Sequence, residues 1–290
     1  MAKLLFATLL KRYFRSVITL IQLSDCHLLK DKDKTGYAGI APYDSLARVL
    51  SDIQNYIVQE VASEPEQRAK HQVVVLVTGD ISGDNSPESY QHFTALMEQH
   101  IEPANIEWFV LAGNHDNNPY FEKYVGSRHL QSNDSLSLCN WQLHGMDTRA
   151  TSNMHTAAGE VKESDIQALE QSLTTSPQTN HLVALHHHIL PSNSWMDKHS
   201  LVDAQRLVSL TDEYPQIKAF LHGHVHSPLR QQIGKHNTPS YGAPSTCWQW
   251  EMRPEFGVSN EAPGYQVMNL MDDGSVDVSV VRGKLSRAWL

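Results

Sequence analysis

The sequence predicts an α/β fold in which strands of a parallel sheet alternate with helices. Short apolar runs rich in β-branched residues are separated by longer segments whose apolar residues recur at helical spacing. One run, residues 73–77, reads Val-Val-Val-Leu-Val, and an unbroken run of this kind is typical of a strand buried on both faces of a parallel sheet. Strands and helices that alternate along a chain point to a layered α/β arrangement.

The first half of the chain is predicted to supply strands at residues 17–23, 73–77 and 108–111. Residues 44–57 form a predicted helix, because their apolar residues lie three and four positions apart. Another helix is expected to start at Ser86-Pro87, where serine suits the N-cap and proline the first turn.

The second half continues the alternation. The predicted elements are a strand or hairpin over residues 136–146, a helix over 160–173, a strand over 181–185, a helix over 201–210 and a strand over 217–221. A C-terminal hairpin is expected over residues 264–281, and its turn falls at Asp272-Asp273-Gly274.

The domain organisation follows from length and from where the polar motifs lie. A chain of 290 residues that is 40% hydrophobic can bury one large core or two modest ones. We favour a single domain over residues 17–290, because its ligand motifs run from Asp25 to His226 and must meet at one place. Residues 1–16 are predicted to be a short, partly disordered extension. Weak contact of this extension with a membrane surface stays an alternative.

The charge balance restricts the partners. The formal net charge is −9 and the pI is near 6.0, and no cluster of lysine and arginine forms the basic face of a nucleic-acid binder. We therefore expect no nucleic-acid polymer as a partner. A small phosphate ester stays compatible with this charge, because bound metal ions can dominate the local field. The sequence leaves the oligomeric state open.

Cysteine usage and hydropathy indicate the compartment. Cys26, Cys139 and Cys247 have no paired spacing, so a disulfide framework is not expected and a reducing, cytoplasmic environment fits. The apolar run at residues 4–10 has most of its positive charge after it, which is the reverse of a secretory signal. No run approaches the ~18 apolar residues of a spanning helix, so we expect no stable membrane insertion.

Metal-ligand motifs follow the predicted strands. In chain order they are Asp25-Cys26-His27, Gly79-Asp80, Gly113-Asn114-His115-Asp116, His186-His187-His188 and Gly223-His224-Val225-His226. Ligand sites of open α/β sheets form at the carboxyl ends of strands, so these motifs are expected to meet there. Two aspartates, one asparagine and at least four histidines are the ligand set of a two-metal site, which hydrolyses phosphate esters.

Each motif alone leaves alternatives open. Asp25 and His27 would point the same way on an extended segment, as would His224 and His226. Cys26 would then point away, as a small buried filler, with a thiolate ligand as the alternative. These motifs follow apolar runs, and a buried polar side chain there needs a partner.

Asp80 follows a buried run, and an unpaired buried carboxylate is costly. Its partner is a helix N-terminus, an arginine, or a pair of cations that it bridges. Among the three consecutive histidines, His186 is the predicted ligand because it comes first after the buried run, whereas His187 would face the opposite side from His186 and His188.

The motifs, in this order, resemble those of the calcineurin-like metallophosphoesterase superfamily. Residues 36–50, 186–191, 194–200 and 243–247 are further similar to the bacterial class III 3′,5′-cyclic-nucleotide phosphodiesterases, and the resemblance covers nearly all of the chain after about residue 16. It implies a four-layer α/β/β/α sandwich and a hydrolase that opens 3′,5′-cyclic AMP to 5′-AMP.

The resemblance also implies the residue roles. One ion would be held by Asp25, His27, Asp80 and His226, and the other by Asp80, Asn114, His186 and His224. Asp80 would bridge the two ions, and His115 would contact the phosphate and assist the leaving oxygen. The substrate phosphate would lie against His27, Asp80, Asn114, His115 and His226. Iron and manganese are the ions that the resemblance favours, and zinc or cobalt also suits nitrogen and oxygen ligands.

The implied chemistry is a hydrolysis. Two ions held roughly 3.5–4 Å apart would share a water and lower its pKa, and the resulting hydroxide would attack phosphorus in line. His115 would act as general acid or hydrogen-bond donor. Residues 194–200 and 244–250 would line the substrate pocket, or else serve only as loop packing. The alternatives are a related phosphodiesterase or phosphomonoesterase for another small ester, and a metal-stabilised binding module without turnover.

Overall fold

Two β-sheets form the centre of the computed structural model, which describes residues 17–61, 71–151 and 156–283. The parallel strands of the first sheet are β1 (Val17–Leu23), β2 (His71–Val77) and β3 (Glu107–Val110). Its antiparallel edge is the hairpin of β14 (Gly264–Leu270) and β15 (Val276–Arg282). The strand order is β15-β14-β1-β2-β3.

The second sheet repeats this plan. Its strands are β4 (Leu136–Leu138), β5 (Trp141–Gly145), β7 (Asn180–Ala184), β9 (Ile217–His222), β10 (Arg230–Ile233) and β11 (Thr238–Gly242). The order is β10-β11-β9-β7-β5-β4. The central strands are parallel, and β4 and β10 are antiparallel edges.

The described part of the chain also holds small ladders and helices. The ladders pair β6 (Gly159–Glu160) with β8 (Leu201–Val202), and β12 (Gln249–Trp250) with β13 (Val258–Ser259). The helices are α1 (Pro42–Tyr56), α2 (Pro87–His100), α3 (Pro119–Val125), α4 (Glu163–Thr175) and α5 (Gln205–Glu213). Ser86 caps α2 as predicted, because its hydroxyl accepts the Ser89 N–H.

Three apolar clusters separate the layers. Between the sheets lie side chains such as Leu20, Leu76, Leu182 and Leu221. On the outer face of the first sheet, Ile21 and Val75 pack with Leu50 of α1 and Phe93 of α2. On the outer face of the second sheet, Val183 and Phe220 pack with Leu169 of α4 and Leu207 of α5. Successive strand residues therefore face different cores, and the order of layers confirms the four-layer α/β/β/α sandwich.

Two helices begin later than predicted. The helix expected over residues 201–210 begins only at Gln205, because Leu201–Val202 pairs with Gly159–Glu160 as a strand. The same pairing explains why the helix expected from residue 160 begins at Glu163. The segment over residues 136–146 forms the hairpin alternative, with Leu138 opposite Trp141.

The predicted C-terminal hairpin is confirmed. Leu270 pairs with Val276 across the turn, and Gly274 takes a positive φ of 84° there. Among the described helices, none is both long and apolar enough to cross a membrane. Residues 1–16 lie outside the described part of the chain, so the predicted extension stays a prediction.

Candidate metal centre

The loops at the carboxyl ends of the strands are joined through their backbones. The Asp25 N–H donates to the Gly79 carbonyl at 2.9 Å, and the His27 N–H donates to the Asp80 carbonyl at 2.9 Å. In the second sheet the Gly223 N–H donates to the His186 carbonyl at 3.0 Å. The segment that follows β1 is therefore fixed against the one that follows β2, and the segment after β7 against the one after β9, before any side chain is considered.

The backbone turns left-handed at most of the predicted ligands. The φ angles are 55° at Asp25, 47° at His27, 55° at Asp80, 66° at His224 and 47° at His226. The extended geometry expected for residues 25–27 and 224–226 is therefore wrong. Non-glycine residues in this region cost about 1–3 kcal/mol each and tend to collect at functional sites. The backbone hydrogen bonds between the loops hold this strained arrangement.

One group of ligand atoms consists of Asp25, His27 and His226. His226 Nε2 lies 3.2 Å from Asp25 Oδ1 and 3.1 Å from His27 Nε2. The three side chains are buried and offer one ligand atom each within 4.8 Å of one another. Nitrogen and oxygen atoms that converge in this way can surround a single metal ion.

A second group consists of Asp80, His186 and His224, and it meets the same distance limit of 4.8 Å. His186 Nε2 lies 3.5 Å from Asp80 Oδ2 and 3.2 Å from Asn114 Oδ1. Asp80 Oδ2 also lies 3.7 Å from His27 Nε2 in the first group. Asp80 therefore belongs to the second group and also lies beside the first.

The histidine rings are oriented by carbonyl groups behind them. His186 Nδ1 donates to the Thr78 carbonyl at 2.7 Å, and His226 Nδ1 donates to the Trp248 carbonyl at 2.8 Å. His224 uses its other nitrogen, because Nε2 donates to the His199 carbonyl at 3.1 Å. A carbonyl can only accept, so each bond fixes which nitrogen carries the proton. In the neutral rings the opposite nitrogen keeps its lone pair for a metal ion.

Burial and charge fit this role. Burial lowers the pKa of His27 to about 3 and that of His224 well below its usual value, so both rings are neutral. Burial also acts on His186, but the Asp80 carboxylate outweighs it and raises the pKa of His186 to about 9. Burial opposes the ionisation of Asp80 in turn, but His186 and His115 hold its pKa well below the usual value. Asp80 therefore stays charged beside the neutral rings of His27 and His224, and a buried carboxylate in this setting suits a bound cation.

His115 stands at the mouth of this centre. Its side chain is exposed, and its ring lies edge-on to His27 with centroids 4.9 Å apart. Its backbone N–H donates to Asp80 Oδ1 at 2.9 Å, so the loop that carries His115 is tied to the shared carboxylate. Gly113 is needed in this loop, because a Cβ there would collide with the Asp80 side chain.

Asp116 has a role that the sequence did not indicate. Its buried carboxylate accepts the backbone N–H of Gly113 at 3.0 Å, the N–H of Ile81 at 3.1 Å and the Tyr90 hydroxyl at 2.8 Å. It therefore joins the loops after β2 and β3. Burial, with the Asp80 charge added, raises the pKa of Asp116. In the sequence, the only sign of this role was the position of Asp116, an acidic residue directly after the candidate site residues Asn114 and His115.

The other consecutive histidines also lie at the centre. Strand β7 ends at Ala184, so the alternation expected for His187 does not apply and that expectation was wrong. The His187 ring lies 5.0 Å from that of His186 and 4.6 Å from that of His224. Its Nδ1 contacts the Thr148 hydroxyl at 2.7 Å. His188 Nε2 lies 3.4 Å from Asp197 Oδ1.

Aromatic side chains form one side of the centre. We call the set the aromatic wall: Tyr37, Trp195, Trp248, Trp250 and Phe256. Trp248 stacks on His27 with centroids 5.3 Å apart, and Trp250 stacks on His226 at 4.7 Å. Residues 194–200 and 244–250 were expected beside the site. Phe256 was not anticipated, because a single aromatic residue in a polar loop gives no distinguishing signal.

Cys26 lies between two candidate ligands but belongs to the outer core of the first sheet. Burial raises the pKa of its thiol to about 12, so it is kept protonated. All three cysteines, at positions 26, 139 and 247, are free thiols.

This arrangement matches a known family. A family model described as calcineurin-like phosphoesterase matches residues 18–228. The chain belongs to the calcineurin-like phosphoesterase family. The resemblance inferred from the five motifs is thereby confirmed. Dimetal phosphoesterases hold two metal ions, and the described part of this phosphoesterase has three overlapping Asp/His groups that could hold them: the two above and a third of His27, Asp80 and His115.

Curated relatives are similar over almost the whole phosphoesterase. A 3′,5′-cyclic adenosine monophosphate phosphodiesterase CpdA from Haemophilus influenzae is 30% identical, covering 92% of this chain and 91% of the relative. A 3′,5′-cyclic-nucleotide phosphodiesterase from Nostoc is 29% identical, covering 91% of this chain and 92% of the relative.

A solved structure is similar in fold. A dimetal phosphatase from Danio rerio superposes with a TM-score of 0.63 at 14% identity, covering 91% of this chain and 98% of that one. At this identity the likeness concerns the fold alone.

Proposed function

We propose that the protein is a dimetal phosphodiesterase that hydrolyses 3′,5′-cyclic AMP to 5′-AMP. One observation carries the proposal: the predicted ligands gather into two groups on either side of Asp80, with His115 exposed beside them. The names of the relatives from Haemophilus influenzae and Nostoc support the choice of a cyclic nucleotide as substrate. The neighbouring possibility within the same family is another small phosphate ester.

The residues divide between two ion positions. Asp25, His27 and His226 would hold one ion, Asn114, His186 and His224 would hold the other, and Asp80 would contact both. The bound ions supply a Lewis acid for the phosphoryl oxygens and lower the pKa of a coordinated water. The mixed nitrogen and oxygen donors suit iron, manganese, zinc or cobalt, and we favour iron and manganese.

The side chains around the ions bind and orient the ester. The phosphate would lie against His27, Asn114, His115 and His226. The His27 ring lies 4.9 Å from that of His115 and 5.0 Å from that of His226. His115 is the exposed member of this set, so it can donate a proton to the 3′-oxygen as its bond to phosphorus breaks. The hydrogen bond from its N–H to Asp80 Oδ1 keeps the ring beside the centre.

The setting of the activity follows from the same observations. The net charge of −9 fits a small anion held by metal ions better than a long polyanion. Three free thiols fit a reducing compartment, so we place the activity in the cytoplasm.

Purified protein reconstituted with Mn²⁺ should convert 3′,5′-cyclic AMP to 5′-AMP, and it should also cleave bis(p-nitrophenyl) phosphate. Chromatography of the nucleotide products measures the first reaction, and p-nitrophenol release measures the second. EDTA should abolish both activities, and Mn²⁺ added back should restore them. Turnover of the aryl ester without any release of 5′-AMP would contradict the proposed substrate and keep only the dimetal phosphoesterase.

A further inference from the structure

The aromatic wall is continuous with the metal centre. Its inner members pack directly on candidate ligands, with Trp248 stacked on His27 at an interplanar angle of 19° and Trp250 on His226 at 22°. From Trp250 the ring contacts continue outward to Tyr37 at 5.1 Å and to Phe256 at 5.7 Å. A ligand whose phosphate lies at the ions therefore has these rings beside it.

The outer members of the wall are open to solvent. Tyr37 is 49% exposed and Phe256 is 50% exposed, and their ring centroids lie 5.8 Å apart. Among the described side chains, the other exposed large apolar residues are the valines Val58, Val202 and Val280. The exposed aromatic surface is thus concentrated at the mouth of the centre, and concentrated apolar surface of this kind marks a binding site.

The wall is held in place before any ligand binds. The backbone N–H of Trp195 donates to the Arg253 carbonyl at 2.9 Å, and the backbone N–H of Glu251 donates to the Gly257 carbonyl at 2.9 Å. Gly36 lies against the Trp248 ring, and a Cβ at this position would collide with it. A preformed surface avoids the entropy cost of ordering loops when a ligand binds.

We propose that Tyr37, Trp250 and Phe256 form the platform on which the nucleobase of the substrate stacks while its cyclic phosphate lies at the ions. This inference rests on the proposed function and names how that site recognises a nucleoside. Aromatic rings accept the flat face of any base, because every base has a π-face. The platform therefore favours nucleotides over phosphate esters that have no base. It should bind adenine and guanine equally well.

The decisive experiment compares substrate KM with inhibition by inorganic phosphate. Phe256→Ala and Tyr37→Ala should each raise the KM for cyclic AMP by about 5- to 150-fold, the range for losing one base–aromatic stack, with kcat nearly unchanged. The Ki of inorganic phosphate should not change, because phosphate contacts the ions and has no base. Phe256→Tyr should keep the KM of the wild type, whereas Phe256→Leu, which keeps bulk without an aromatic face, should not.

The matched control is Val58→Ala. Val58 is 60% exposed and lies beside His71, at the end of β2 opposite the metal centre, so its loss should change neither constant. If the wild type opens cyclic AMP but the Tyr37→Ala/Phe256→Ala double variant has the same KM, the platform is wrong and the function stands. If the Ki of inorganic phosphate rose as much as the KM for cyclic AMP, the platform would also be wrong, because the substitutions would then have weakened binding at the ions. A wild type that does not open cyclic AMP overturns the proposed function and the platform with it.

Discussion

Asp80→Asn is expected to lower cyclic AMP hydrolysis by more than about 100-fold, because loss of a mere partner of a metal ligand already costs 10- to 100-fold. Asp80 Oδ2 lies 3.7 Å from His27 Nε2 and 3.5 Å from His186 Nε2, so its charge serves both ion positions. Asparagine keeps the shape and can still accept the His115 N–H through its oxygen. The measurements are kcat and the metal content of the purified variant by elemental analysis.

Asp165→Asn is the matched control for the loss of a buried carboxylate. Asp165 is 7% exposed on α4, and its two oxygens accept the Ser132 hydroxyl and the Asp147 N–H. Asparagine can accept the Asp147 N–H through its oxygen, and its amide N–H can donate to the Ser132 hydroxyl oxygen. This variant should keep both ions and the wild-type rate. An Asp80→Asn protein that kept two ions and a rate within tenfold of wild type would contradict the role of Asp80.

His115→Ala is expected to lower kcat for cyclic AMP by about 10²–10⁴-fold, which is the usual contribution of a positioned proton donor. Its ring is exposed, and the bond to Asp80 comes from its backbone N–H, which alanine retains. Metal content should therefore be unchanged. The loss should be much smaller on bis(p-nitrophenyl) phosphate, because p-nitrophenolate leaves without a proton.

The difference between the two substrates is the sharpest part of this test. If kcat of His115→Ala fell by the same factor on both substrates, the variant would have a binding or structural defect, and His115 would not be the proton donor. His236→Ala serves as control and should retain both activities. His236 is exposed in the turn between β10 and β11, at the end of β11 opposite the metal centre.

The sequence sufficed to predict the strands that end at the candidate ligands and the edge of the sheets where those ligands would gather. Runs such as residues 73–77 signal a buried strand by composition alone, and metal-binding residue types directly after such runs mark one edge of the sheets. The weakly apolar strand Arg230–Ile233 gave no such signal. Its pairing with Thr238–Gly242 depends on an edge that only the folded sheet provides.

The local geometry of the ligands could not be predicted. The left-handed turns at Asp25 and His27 are held by hydrogen bonds to Gly79 and Asp80, more than fifty residues away, so no local pattern encodes them. The same holds for Asp116, whose role appears only when Tyr90 and Ile81 are folded against it. The residue types indicated the chemistry of the site, but tertiary contacts determine the orientation of each side chain.

The measurement that tests the central claim most directly is the anomalous scattering of crystals of the Mn²⁺-reconstituted protein. Two peaks are expected roughly 3.5–4 Å apart. One should be coordinated by Asp25, His27 and His226, and the other by Asn114, His186 and His224, with Asp80 between them. A single peak, or two peaks without Asp80 in common, would contradict the account.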